Sequence, residues 1–187
     1  MPRNARERSE TGFYHVVLRG NNRDYIFQDD QDHRVMISYL DAMKSKTKVE
    51  IICWCLMGNH LHLLLKDEND ELSNAMKLVS ESYAKFFNKK YPHSGHVFQG
   101  RYSSFPILNE SYLLNAVRYI HNNPEKAGIC KTNEYRWSSF DEYLHRAKIC
   151  STQTLLEIIG GPSRFEEFSR ANDSDFPLQL RGENILF

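Results

Sequence analysis

His60 and His62 stand one residue apart in "MGNHLHLLL", at the head of an apolar run. Side chains two apart on a strand point the same way, with Cα atoms roughly 6.5–7 Å apart, so both imidazoles can converge on one divalent ion. Leu61, Leu63 and Leu65 then face the opposite side and anchor the strand. Two histidines leave such an ion short of ligands, and a second stretch, "RYIHNNP", offers more. Residues four apart on a helix are neighbours, so Tyr119 and Asn123 share a face beside an apolar stripe of Leu113, Ala116, Val117 and Ile120. Asn123 can give a neutral carbonyl oxygen to a metal, and Tyr119 a phenol to whatever the metal holds. Plainer readings also fit: part-exposed histidines on a solvated face, Tyr119 at the edge of the stripe, Asn123 capping the helix end. A zinc site of Cys53, Cys55, His60 and His62 is a third alternative. A single residue separates each pair, where zinc fingers use wider spacing, although a short turn would set Cys55 opposite His62.

The elements that would position these residues can be read in order. "GFYHVVLRG" alternates as a strand, with Tyr14, Val16 and Leu18 on one face and His15, Val17 and Arg19 on the other. "DDQDHRVMISYLDAMKSKTK" opens with carboxylates and repeats apolar residues at helical spacing. "VEIICWCLM" and "HLHLLLKD" are strands joined through Gly58-Asn59, a hairpin signal. A helix over "DELSNAMKLVSESYAKFFNKKY" precedes a fourth strand, "GHVFQGRYSSFPI", in which Gly100 suggests a bulge. "NESYLLNAVRYIHNN" is a third helix, N-capped by Asn109 and ended by Pro124. The order is an α+β, ferredoxin-like split β-α-β-β-α-β sheet followed by a helix. From Thr132 onward, "RWSSFDEYL" and "TLLEIIG" are two short helical pieces placed to pack onto the sheet. The expected organisation is one domain over residues 1–145 and a helical extension over 146–187.

At 187 residues the chain can bury a core without staples. No stretch is long and apolar enough for a membrane span, and no apolar segment follows the arginines of "MPRNARERSE", so a cytoplasmic protein with four free thiols is expected. Lys and Arg together balance Asp and Glu at 24 each, which argues against nucleic acid until the distribution is considered. Between Ser82 and Ile107 there is no carboxylate, while Lys85, Lys89, Lys90 and Arg101 interleave with seven aromatic residues including Tyr102. Cations beside aromatic platforms suit a single nucleic-acid strand. The plainer reading is an amphipathic helix and a strand whose aromatics are core.

"MGNHLHLLL" followed by "RYIHNNPEKAG", with "LRGNNRDYIFQDDQD" and "VFQGRYSSFPI", resembles the single-tyrosine HUH transposases of the insertion-sequence type, especially the REP-associated tyrosine transposases. The resemblance covers about residues 11 to 145. It implies that His60 and His62 are metal ligands, Tyr119 the nucleophile and Asn123 the third ligand. The implied chemistry is attack on single-stranded DNA beside hairpins, giving a 5′-phosphotyrosine and a free 3′-OH with Mg2+ or Mn2+ as cofactor. Arg19 and Arg23 of "RGNNR", with Lys85, Lys89, Lys90, Arg101 and Tyr102, become the expected DNA contacts. Gly58 stands where relatives often carry proline, and nothing after about residue 150 shares the resemblance. A replication-initiator or relaxase-type nickase and a non-catalytic single-strand-binding module remain alternatives. Monomer and homodimer both stay open, as does whether Tyr119 acts in its own subunit. His15, His93, His96 and His121 receive no role.

Overall fold

In the computed structural model, which describes residues 7–92 and 95–170, alternation along each strand sorts side chains onto the two faces of one antiparallel sheet. Its strands are β1 (Phe13–Arg19), β2 (Glu50–Leu56), β3 (His60–Lys66) and β4 (Ser103–Pro106), in the order β2-β3-β1-β4. Helices α1 (Asp30–Lys46) and α2 (Leu72–Lys90) cover one face. On that side Val16, Leu18, Leu61, Leu63 and Leu65 join Met36, Leu40, Val79 and Tyr83 in one core. Helix α3 (Glu110–Lys126) covers the other face, where Leu64, Cys53 and Cys55 meet Leu113, Ala116, Val117 and Ile120. The sheet therefore lies between helical layers, with β1, β2 and β3 largely buried, and this is the expected ferredoxin-like α+β arrangement. Among the described residues no helix is long and apolar enough to cross a membrane.

Local signals account for the element ends. Asp29 caps α1 by accepting from Gln31 and Asp32 backbone nitrogens, and Asp32 returns the bond to complete a capping box. Asn109 caps α3 by accepting from Tyr112 N at 2.9 Å. Gly58 and Asn59 close the β2–β3 hairpin, with Met57 N donating to His60 O at 2.8 Å.

Three expectations need correction. The fourth strand is short. Phe98 makes an isolated bridge to Gly20, Gly100 then turns the chain outward at φ 70°, and pairing resumes only at Ser103 opposite Val17. Pro124 does not end α3, which runs on to Lys126. A proline this near a helix end removes one donor only, and the last turn still closes through Ala127 N to Asn123 O and Ile129 N to Pro124 O, each at 2.9 Å. Finally, among the described residues the tail holds three helices where two were expected: α4 (Phe140–Leu144), α5 (Gln153–Ile159) and α6 (Pro162–Arg170). Leu155 and Phe165 from α5 and α6 share the core of α3. Residues 171–187 of the expected extension lie outside the described ones, as does His93.

The outer edge of β2 is covered rather than bare, which removes a site for unwanted strand pairing. Ser139 N donates to Trp54 O, Leu56 N to Trp137 O and Ser151 N to Ile51 O. The buried Glu142 carboxylate secures this strap, accepting from Trp54 Nε1 and from the backbone nitrogens of Lys148, Ile149 and Cys150.

Candidate active site

His60 and His62 lie on the α3 side of the sheet and are buried, at 3% and 0% exposure. The reading of them as solvated surface histidines is thereby excluded. Antiparallel register sets Arg19 opposite His60 and Val17 opposite His62 on β1, and Cys55 opposite His62 on β2. The two imidazoles meet edge to face, ring centroids 4.9 Å apart. Tyr119 comes down on them from α3, with its ring 5.6 Å from His62 and 5.8 Å from His15, both edge-on. Strand and helix thus bring the histidine pair and the tyrosine together within one subunit.

Each imidazole has its Nδ1 engaged. His62 Nδ1 lies 3.0 Å from His15 Nε2, and His60 Nδ1 lies 2.5 Å from Asn59 Oδ1. Both Nε2 atoms are buried without a hydrogen-bond partner. A buried polar atom left unpaired costs free energy, and two adjacent nitrogens in that condition are what a metal would relieve. Burial, then the Arg19 charge, lowers the His60 pKa to about 3, and burial with His60, His15 and Arg19 depresses His62 as well. Both rings are neutral near pH 7 and free to ligate.

Asn123 is buried one helical turn beyond Tyr119, its amide nitrogen donating to the Tyr119 carbonyl at 2.7 Å. That bond leaves Oδ1 as the atom it can offer. Among the described residues no group of three His, Cys, Asp or Glu is placed to hold a metal ion by itself, so the zinc cluster of Cys53, Cys55, His60 and His62 gains no support. Burial also pushes both thiols up, away from the thiolate a zinc site needs. The two bare imidazole nitrogens fit a divalent ion that takes its remaining ligands from other oxygens, such as water or a phosphate.

The surroundings are cationic. Burial lowers the Arg19 pKa first, Arg23 adds to this, and the Tyr119 oxygen acts the other way. The Lys126 ammonium lies 5.3 Å from the centre of the Tyr119 ring. Sequence reasoning missed His15, Asn59 and Lys126. His15 shares a strand face with Arg19, but only the β1–β3 register reveals its place beside His62. Lys126 stands seven residues past Tyr119, on the last turn of α3, beyond Pro124.

The expected DNA contacts divide between the two faces. Arg19 borders the histidines, and Arg23 follows in the same loop. Exposed Arg101 and half-buried Tyr102 precede β4 at the sheet edge. Lys85 and Lys89 are exposed, but on α2, across the sheet from Tyr119. Lys90 is already neutralised, its ammonium 2.7 Å from both Asp29 and Asp32.

Residues 9–123 match the family model described as IS200-like transposase. A curated protein of Haemophilus influenzae, assigned as a REP-associated tyrosine transposase, is 26% identical over 148 residues, 68% of this chain and 78% of that protein. The fold is similar to that of a REP-associated tyrosine transposase solved bound to a REP hairpin. That superposition has a TM-score of 0.66 at 18% identity and covers 76% of this chain and 85% of that one. At such identity the structural likeness speaks for the fold alone.

Proposed function

The chain belongs to the IS200-like transposase family, whose model spans residues 9–123, and on that premise we propose that it cleaves and rejoins single-stranded DNA beside hairpins, with Tyr119 as nucleophile. The observation that carries this reading is the packing of Tyr119 against His62, whose Nε2 and that of His60 are buried and bare. A DNA hairpin is taken as the partner by likeness to the structural relative, which was solved with one.

Charge favours a phosphate at this place. The donor set is neutral, so a divalent ion would keep its full charge, and Arg19 adds to it. His60 and His62 through Nε2 and Asn123 through Oδ1 would hold Mg2+ or Mn2+, which supplies Lewis-acid polarisation of the scissile phosphate when bound. The Tyr119 oxygen attacks phosphorus, the bond from phosphorus to the 3′-oxygen breaks, and that oxygen leaves and takes up a proton. The 5′-phosphate stays on Tyr119. One phosphate ester replaces another, so attack by a 3′-OH reverses the step without ATP. Because Tyr119 lies against the histidines of its own chain, the reaction is proposed to occur in cis. The strand path runs from Arg19 and Arg23 past Arg101 and Tyr102 at the β4 edge, with Lys85 and Lys89 as its far contacts.

The test is a covalent adduct with hairpin-bearing single-stranded DNA and Mn2+, resolved on a denaturing gel. Tyr119→Phe removes one oxygen and should abolish the adduct while hairpin binding and melting temperature stay near the parent values. Tyr112→Phe should cleave at close to the parent rate, since Tyr112 lies seven residues earlier, roughly 10 Å along the helix axis. An adduct that survives Tyr119→Phe would refute the assignment of the nucleophile.

A further inference from the structure

Asn59, in the turn between β2 and β3, is bonded on three sides. Its backbone carbonyl accepts from Gly20 N at 2.8 Å. Its side-chain nitrogen donates to the Arg23 carbonyl at 3.2 Å, and its Oδ1 lies 2.5 Å from His60 Nδ1. These contacts can be satisfied in only one way. A backbone carbonyl only accepts, so Arg23 O requires the amide nitrogen and leaves Oδ1 for the imidazole. An amide oxygen also only accepts, so the neutral His60 ring carries its proton on Nδ1. Its lone pair is then on Nε2, the buried atom with no partner.

We propose that Asn59 is a positioning residue that fixes the tautomer and ring orientation of His60, presenting Nε2 as the donor atom of the site. The loop from Arg19 to Asp24 is part of the same device. Arg23 aims its carbonyl at Asn59 from a left-handed backbone, φ 63°, directly after Asn22 at φ 53°. Such conformations persist only where the surroundings enforce them, and the bonds to Asn59 supply part of that enforcement. Gly20 permits the closure, because a Cβ there would fall 2.2 Å from Asp24 O and 2.9 Å from Ile26 Cγ2. A loop bearing two candidate DNA-binding arginines is thereby tied through one amide to a candidate metal ligand. The sequence "GNHLH" holds this link in adjacent residues, with the amide immediately before the first histidine.

The inference rests on the metal reading of the site for its purpose, but the tautomer is measurable without metal. In metal-free protein labelled with 15N-histidine, long-range 1H–15N correlation should show His60 as the Nδ1–H tautomer, assigned by its loss in His60→Gln. Asn59→Ala should move His60 toward Nε2–H while His62 keeps its signals. The same variant should weaken Mn2+ binding, measured by electron paramagnetic resonance, about ten- to hundredfold. Asn59→Asp keeps an oxygen that accepts from His60 Nδ1 but loses the donor to Arg23 O, so it should keep the Nδ1–H tautomer. Melting temperatures identify any variant that fails to fold, and the tautomer of the parent itself still decides the question in that event. An Nε2–H His60 in the parent overturns the proposal, as does unchanged Mn2+ affinity in Asn59→Ala. If the parent shows Nδ1–H but binds no Mn2+, the metal reading fails and the tautomer assignment to Asn59 stands.

Discussion

The attack proposed for Tyr119 calls for a phenolate, and a free phenol has a pKa near 10, so it also asks for positive charge beside the residue. Among the described residues, Arg19 and Lys126 are cations beside it. Lys126 is exposed, so water screens it. Two opposite charges about 5 Å apart in a water-like dielectric attract by about 1 kcal/mol, far less than in a dry interior, and the ammonium stands at that order of distance from the ring. Lys126→Met is therefore expected to slow single-turnover cleavage about fivefold, not to abolish it. The pH–rate profile should move upward, since the phenolate becomes harder to form. A loss as complete as that of Tyr119→Phe would mean that Lys126 contacts the reacting phosphate rather than only the phenol.

At the scale of elements, α2 shows how a basic run can mislead. Lys85, Lys89 and Lys90 look equivalent in sequence, yet Lys90 bridges the end of α2 to the cap of α1. Its partner Asp32 has a fully buried side chain that also accepts from Tyr91 OH at 2.9 Å and Gln28 N at 2.7 Å. Removing the ammonium leaves that carboxylate under-compensated, so Lys90→Met should cost about 1–3 kcal/mol of stability by urea unfolding and leave the salt dependence of DNA binding unchanged. Neutralising Lys85, Lys89 and Arg101 together should do the reverse, lowering the slope of log affinity against log salt by about 2. Parent-like slopes in that triple variant would move the DNA path off this surface. The ferredoxin-like arrangement was legible from the succession of periodic segments, and the shared face of the two histidines because a period of two sorts side chains. The length of β4, the run of α3 past Pro124 and the presence of α6 were not, since each depends on tertiary bonds rather than local pattern. The candidate site divides in the same way. Spacing marked His60, His62 and Tyr119 as candidates and the family resemblance gave them roles, whereas His15 and Asn59 join them only through strand register and a three-way hydrogen-bonded turn.

Among the described residues, three histidines with strongly depressed pKa values lie on the α3 side of the sheet, while burial also lowers His33 on α1. His60 and His62 sit between the sheet and α3, and His121 is enclosed by Phe140, Tyr143 and Phe165 of α4 and α6. Burial lowers His60 and His121 to about 3 and depresses His62 as well. In the unfolded chain each would titrate near 6.5. Below that value the unfolded state binds more protons than the folded one, so stability is full above about pH 6.5 and falls as pH drops toward 3. Each histidine contributes up to about 1.4 kcal/mol per pH unit inside that window. Against a typical net stability of about 5–15 kcal/mol, three of them are enough to matter by pH 5. The layer that carries them should loosen first. We propose that the tail belongs to this layer as its outer wall, because Arg118 of α3 stacks on Phe168 and donates to its carbonyl, while Phe165 stacks on Tyr143. Hydrogen exchange in EDTA should then show α3 and α6 amides losing protection between pH 6.5 and 5 before those of α1 and α2, with Mn2+ delaying the loss at its upper end by binding the folded site alone. Uniform loss across both helical layers, or none by pH 5, would show that these three histidines do not govern the acid limit of the fold.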